Sequence, residues 1–311
     1  MELAWICAQQ VAVLFLLIGA GVLGVRMGWL KPEGRQMLSS LLVNLVVPAM
    51  TVHSYMMEFS AEILHNLLAA FGLSILAIFI GTVLTLVLTA RQKDSRAPIF
   101  RFAGVFSNAV YMGFPLISAL FGSEGLLYAS AFVTVFNILL WTMGYGMVSG
   151  SSSPRTIARS LLHTPVLYAM VVGLAIYLLQ LPVPALIAQP LELLANMNTP
   201  LSMIITGILI ASGDLGSTLR SRQIWKLAGV RMLLIPAACL AAFAALGLLR
   251  FGMSAQVVLL LECCPAAAIT SVFAVQFGHD EHFAAGCVVM TTLLSILTLP
   301  LCALALVALM G

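Results

Sequence analysis

Apolar runs of 18 or more residues recur along the whole of this chain, and they decide what solvent it folds in. A run of that length crosses the hydrocarbon of a bilayer, where unpaired backbone N–H and C=O groups are too costly to keep. Each run must therefore be a helix that pairs its own backbone. Composition agrees, since 62% of the 311 residues are hydrophobic and only 8% are charged. The mean hydropathy is +1.11, far above that of a soluble domain. The expected fold class is an all-α membrane protein. The first ten residues hold Glu2 and no Lys or Arg, so a cleaved signal peptide is not expected and the first run should be kept. Cys7, Cys239, Cys263, Cys264, Cys287 and Cys302 all lie in apolar stretches, without zinc or disulfide spacing, and read as small apolar residues.

The runs fall at about 8–25, 37–57, 66–90, 102–121, 125–148, 165–181, 191–213, 227–249, 254–277 and 283–309, which makes ten spans. An outside N-terminus then collects Arg26, Lys31, Arg35, Arg91, Lys93, Arg96, Arg101, Arg155, Arg159, Arg220, Arg222, Lys226 and Arg231 on the inside. Only Arg250 of the 14 basic residues stays outside. Such segregation supports both the count and an orientation with both termini periplasmic in a cell membrane.

An internal repeat underlies the ten spans. Leu41-Leu42-Val43-Asn44 with Pro48 in span 2 matches Leu193-Leu194-Ala195-Asn196 with Pro200 in span 7, an offset of 152 residues (196 − 44). Pro115 followed by Phe121-Gly122 in span 4 matches Pro265 followed by Phe277-Gly278 in span 9. The expected units are residues 1–148, a cytoplasmic linker at 149–164, and residues 165–311. Five spans is an odd number, so the second unit enters the membrane inverted, as in many secondary transporters.

Span 4 carries Ser107-Asn108 and Gly113-Phe114-Pro115 about halfway along, and span 9 carries Glu262-Cys263-Cys264-Pro265. Proline removes a donor and clashes with the preceding turn, yet suits the first position of a helix. Each span should then be two half-helices whose second parts begin at Pro115 and Pro265, with both positive N-terminal ends converging. Two such ends form an anion site without a membrane-buried Lys or Arg, and no such cation is read within a span. Prolines that merely kink their helices are the structural alternative.

Asn44, Asn108 and Asn137 are further candidates, because asparagine can donate to a carboxylate without a charge that holds it too tightly. Asn196 and Asn198 read as interhelical hydrogen-bonding groups. Glu262 is the acidic residue well inside a span; it is either a proton-coupling group or a side chain reaching for the outer interface. His53 and His65 read as solvated, and His279-Asp280-Glu281-His282 as a charged turn rather than a metal motif. No metal and no organic cofactor is expected; H+ or Na+ is the coupling ion to consider.

On Leu42 to Pro48, Asn108, Gly113 and Pro115, Asn137 with Trp141, and Glu262, Pro265, Thr291, Thr292 and Pro300, the chain resembles the auxin efflux carrier family over its full length. The resemblance implies a scaffold of spans 1, 2, 6 and 7 and a transport core of spans 3–5 and 8–10, in which broken spans 4 and 9 cross. It implies a substrate carboxylate near Asn108, Gly113, Pro115, Asn137 and Pro265, faced by Asn44, with elevator-like movement of the core and a homodimer through the scaffold. The short 149–164 connection favours a bacterial type of substrate, a dicarboxylate such as malonate or malate, over auxin. The expected partners are this small organic anion and the lipid bilayer, with no nucleic acid.

A cation-coupled carrier of the antiporter or bile-acid symporter type is the main alternative. Asp94, Asp214 and Asp280 fall in loops, which counts against an antiporter, whereas Thr270 and Ser271 could bind sodium. An intramembrane enzyme lacks any visible catalytic constellation, and a receptor gains nothing from matched broken helices.

Overall fold

The computed structural model describes residues 2–92, 94–150, 162 and 164–310, so most of the expected 149–164 linker lies outside the described residues. Among these residues all regular structure is helical, apart from one isolated antiparallel bridge between Ser107 and Ala266. In chain order the helices are α1 (Glu2–Arg26), α2 (Gly34–Ser54), α3 (Ala61–Thr89), α4 (Ala97–Val105), α5 (Ala109–Ser149) and α6 (Pro165–Leu179). They continue as α7 (Ala185–Ser212), α8 (Leu215–Arg220), α9 (Arg222–Ala245), α10 (Met253–Glu262), α11 (Ile269–Gln276) and α12 (Glu281–Met310). Polar caps mark several starts: Ser60 accepts from the Ile63 N–H at α3, Asp214 from Gly216 and Ser217 at α8, and Ser221 from Ile224 at α9.

Seven of the described helices, α1, α2, α3, α5, α7, α9 and α12, are long and apolar enough to cross a membrane. The difference from ten has identifiable causes. Expected span 6 appears as α6, which has 15 residues. Expected spans 4 and 9 are each in two pieces, and α5 carries the second piece of span 4 together with span 5 over 41 residues. Gly122 breaks α5 between them at φ 60°, ψ −148°, a left-handed backbone that glycine adopts without a Cβ penalty.

Four π-turns interrupt three of the described helices, at Leu42–Val46 in α2, Ala109–Gly113 and Leu140–Gly144 in α5, and Val230–Leu234 in α9. Such bulges are frequent at functional sites. The first has a counterpart in the second half of the chain, since α7 is interrupted at Met197, between Asn196 and Asn198. Subtracting the 152-residue offset places Met197 at position 45, inside the π-turn of α2.

Small residues set the closest helix contacts, as packing in lipid favours. A Cβ on Gly207 of α7 would lie 2.3 Å from the Ile18 carbonyl oxygen of α1, and one on Gly21 would lie 2.6 Å from that of Ile204. These two helices therefore touch backbone to backbone. Gly173 of α6 makes room for the ring of Tyr55, just past the end of α2, with 2.7 Å from that ring to a built Cβ. The six cysteines are free, and all but the half-buried Cys302 are buried, as their apolar surroundings suggest.

At one end of the bundle, Arg96 before α4 pairs with Asp280 before α12 at 2.8 Å. Burial raises the Asp280 carboxyl, but the Phe283 N–H and the Arg96 guanidinium outweigh it and hold the group below its usual range. A depressed folded-state value gives stability that is present above the unfolded value of about 3.9 and lost as pH falls through the folded one. Asp280→Asn is therefore expected to cost at most about 1 kcal/mol at neutral pH, because the pair is half-solvated. Its deficit in apparent Tm against wild type should shrink as pH is lowered below about 4.

Candidate functional site

Proline dictates where α10 stops. Pro265 has no N–H and crowds the preceding turn, so the helix ends at Glu262 and the chain runs unwound to Ala268. In span 4 the chain leaves helical geometry at Phe106 (φ −94°, ψ 118°) and resumes after Asn108. The two unwound segments run antiparallel and pair: the Asn108 N–H donates to the Pro265 carbonyl at 2.7 Å, and the Ala267 N–H to that of Phe106 at 2.9 Å. Irregular backbone is tolerated at such a place because protein encloses it.

The half-helices do not begin where the prolines suggested. After the break in span 4, helix resumes at Ala109, six residues before the start Pro115 would mark, and Pro115 sits inside the continuing helix. The second half of span 9 starts at Ile269, because Pro265 is used as the acceptor for Asn108 and Ala266 and Ala267 complete the crossing. Both starts nonetheless approach one cavity of about 660 Å³. Asn108, Val110 and Tyr111 reach it from the first turn of α5, and Ala267, Ala268 and Ile269 from the start of α11.

Asn44, Asn108 and Asn137 all line this cavity. Asn44 follows the π-turn geometry of α2 and donates to the Ser40 hydroxyl at 3.0 Å. Asn137 donates to the Val133 carbonyl at 2.8 Å. Asn108 is 3% exposed, and its Oδ1 accepts from the Ala268 N–H at 3.4 Å, capping the opposite half-helix. Among the described residues its Nδ2 has no partner, nor has the hydroxyl of the neighbouring Ser107, which also lines the cavity.

Gly113, Pro115 and Pro265 do not line the cavity. Gly113 is instead a contact point: a Cβ there would fall 2.4 Å from Leu261 Cδ2 of α10, so glycine lets the two broken spans close on each other. Pro115 and Pro265 are buried and shape the backbone.

Two arginines change the expected electrostatics. Arg35, assigned to a loop by charge segregation, lies in the first turn of α2 and lines the cavity beside Ser39, Ser40 and Asn44. The cavity spans from there and from Thr164-Pro165 at the start of α6 to Thr206 of α7, with Gln276 at the end of α11.

Arg231 overturns the reading that no cation is buried within a span. It sits in the π-turn of α9 with no exposure, and ion-pairs Glu262 Oε1 at 2.8 Å. Its guanidinium also donates to the carbonyls of Gly104 and Val105, each at 3.2 Å, to that of Cys264 at 3.1 Å, and to that of Glu262. Gly104 and Val105 close α4, Glu262 closes α10, and Cys264 lies two residues beyond that end. Arg231 thus answers the orphan carbonyls and negative ends of both first half-helices, opposite the positive ends that face the cavity. Glu262 is wholly buried in this pair and does not reach for an interface. The sequence did hold a signal, because Arg231 falls inside the 227–249 run while the other inside basic residues, apart from Arg35 at the 37–57 boundary, sit in or next to loops.

Among the described residues no group of three or more His, Cys, Asp or Glu side chains could hold a metal, and Asp280 of the histidine-containing turn is committed to Arg96.

Across residues 6–303 the sequence matches the family described as Membrane transport protein. An uncharacterized transporter of Methanothermobacter thermautotrophicus is 26% identical over 293 residues, covering 93% of this chain and 95% of that protein. An uncharacterized transporter of Methanocaldococcus jannaschii is 22% identical over 304 residues, covering 94% and 96%. With a multi-pass apolar bundle, two crossed unwound segments and a match over nearly its whole length, the chain belongs to the membrane transport protein family, that of the auxin efflux carriers.

Proposed function

We propose that this transporter is a secondary carrier of a small organic anion. The observation that carries the reading is a single cavity lined by two half-helix starts, by Asn108, whose Nδ2 is unpartnered among the described residues, and by Arg35. Positive dipole ends and amide donors suit a carboxylate. Arg35 lies nine residues before Asn44, about 13 Å along a helix, so it acts at the mouth by drawing anions in while the amides hold them at the floor. Short dicarboxylates such as malonate and malate are the first substrates to test.

In this reading the ten spans form two inverted five-span repeats in the cell membrane, with both termini outside. Charge segregation and the matched interruptions at Leu42–Val46 and Met197 support it. Spans 1, 2, 6 and 7 are the scaffold, joined in a homodimer, and spans 3–5 and 8–10 are the core that moves as an elevator. Coupling to sodium is a second reading, favoured by the buried Thr270 and Ser271 hydroxyls, which lack partners. Proton coupling through Glu262 rests on its unpartnered Oε2.

Ligand-induced thermal stabilisation of the purified protein tests the anion site. Saturating malonate or malate is expected to raise the apparent Tm by about 5 °C, with small amines inert. Arg35→Gln should raise the half-effective concentration roughly tenfold. Stabilisation by amines and by no carboxylate would reject the reading.

A further inference from the structure

The cavity stops partway along its scaffold helices, but their polar faces do not. On α2 the cavity takes Ser40, Asn44 and Val47, and on α7 it takes Ile205, Thr206 and Leu209. Going the other way along α7, Ser202 and Asn198 follow Thr206 at successive four-residue steps, which keeps all three on one helix face. Thr51 continues the polar face of α2 in the same direction. Ser202 has no exposure, and Thr51 and Asn198 are each 1% exposed.

The Ser202 hydroxyl donates to the Thr199 carbonyl at 3.1 Å, but the other two groups are poorly served where they lie. Among the described residues neither Nδ2 nor Oδ1 of Asn198 has a hydrogen-bond partner, and the Thr51 hydroxyl has none. A buried amide left wholly unpaired is costly, and such a group calls for an explanation. A purely structural asparagine between membrane helices would bond across the interface, as the sequence reading of Asn198 supposed. It does not.

The repeat supplies the explanation. Asn44 stands in the π-turn of α2; its counterpart at the 152-residue offset is the exposed Asn196, and the buried asparagine of α7 is Asn198, on the other side of the matching interruption at Met197. In an inverted repeat, what one unit does for the open face the other does for the opposite face. Asn198 lies about 12 Å along the helix from Thr206, on the side away from Arg35 and the cavity mouth.

We infer that Asn198, continued by Ser202 and Thr51, is the scaffold side of the substrate site when the carrier opens to the face opposite Arg35, as Asn44 is in the state seen here. This rests on the carrier reading above. Asn198 is then a substrate-contacting residue in one state only, and it discriminates among carboxylates arriving from that face.

Thiol accessibility in proteoliposomes of defined orientation tests this without knowing the substrate. A membrane-impermeant methanethiosulfonate is applied to one face at a time on Asn198→Cys and Asn44→Cys, against wild type, whose own cysteines are mostly buried. The expected result is modification of the residue-198 variant at least tenfold faster from the face opposite Arg35, and the reverse preference for the residue-44 variant. No modification at 198 from either face, or modification at 198 only from the Arg35 face while the residue-44 variant reacts from the opposite one, overturns the inference while leaving the carrier reading intact. Modification of both variants from one and the same face removes alternating access, and the carrier reading with it. Should the 198 variant react equally from both faces, as a misfolded chain would, Ser202→Cys decides by the same criterion one turn along the same face.

Discussion

Arg231→Met is expected to lower the apparent Tm of the detergent-solubilised protein by about 10 °C, the largest loss of any single substitution considered. The wild-type guanidinium serves the Glu262 carboxylate and the four carbonyls of Gly104, Val105, Glu262 and Cys264. Removing one member of a buried ion pair leaves an uncompensated charge and costs about 3 to 5 kcal/mol, before the stranded carbonyls are counted. Arg231→Lys should recover only part of the loss, since an ammonium cannot fork to two helix ends as a planar guanidinium does. Glu262→Gln should be milder than either, because the four carbonyl bonds survive. Adding Glu262→Met to Arg231→Met should recover some of the single-variant deficit by removing the unpaired carboxylate. A neutral Arg231→Met would show that the crossing does not depend on this cation.

Asn108→Ala is expected to reduce carboxylate uptake by at least tenfold, because a hydrogen bond to a charged group contributes about 1.5 to 3 kcal/mol. The variant also removes the acceptor for the Ala268 N–H, so lost activity alone would not separate binding from architecture. Asn108→Asp makes the separation. It keeps an oxygen for the Ala268 N–H but replaces the unpartnered Nδ2 donor with a second oxygen that repels an anion. Stability close to wild type with uptake lowered as far as in the alanine variant is the expected outcome. Full uptake in the aspartate variant would move the anion elsewhere.

Much of this arrangement could be read from residue order. The apolar runs announced helices, and matched prolines marked the two interrupted segments that pair at the crossing. Asn44, Asn108 and Asn137, chosen as polar groups inside apolar runs, meet in one cavity although 93 residues separate the first from the last (137 − 44). Other features depended on tertiary contacts that no local pattern encodes. Pro265 looks like a helix start, and only the partner strand at Asn108 shows why four more residues stay unwound. Arg231 looked like one more inside positive charge, because a basic residue four positions into a run resembles a boundary. Its role emerges only when the ends of α4 and α10 are brought to it. Gly113 was read as part of a binding site, whereas the Leu261 side chain occupies the space its Cβ would need.

Uptake of labelled malonate and malate into proteoliposomes, with and without imposed proton or sodium gradients, tests the central claim most directly. The account predicts saturable uptake that other carboxylates compete for and that Asn108→Asp abolishes, with any gradient dependence identifying the coupling ion. Transport of amines or inorganic cations, with no carboxylate carried or competing, would contradict it.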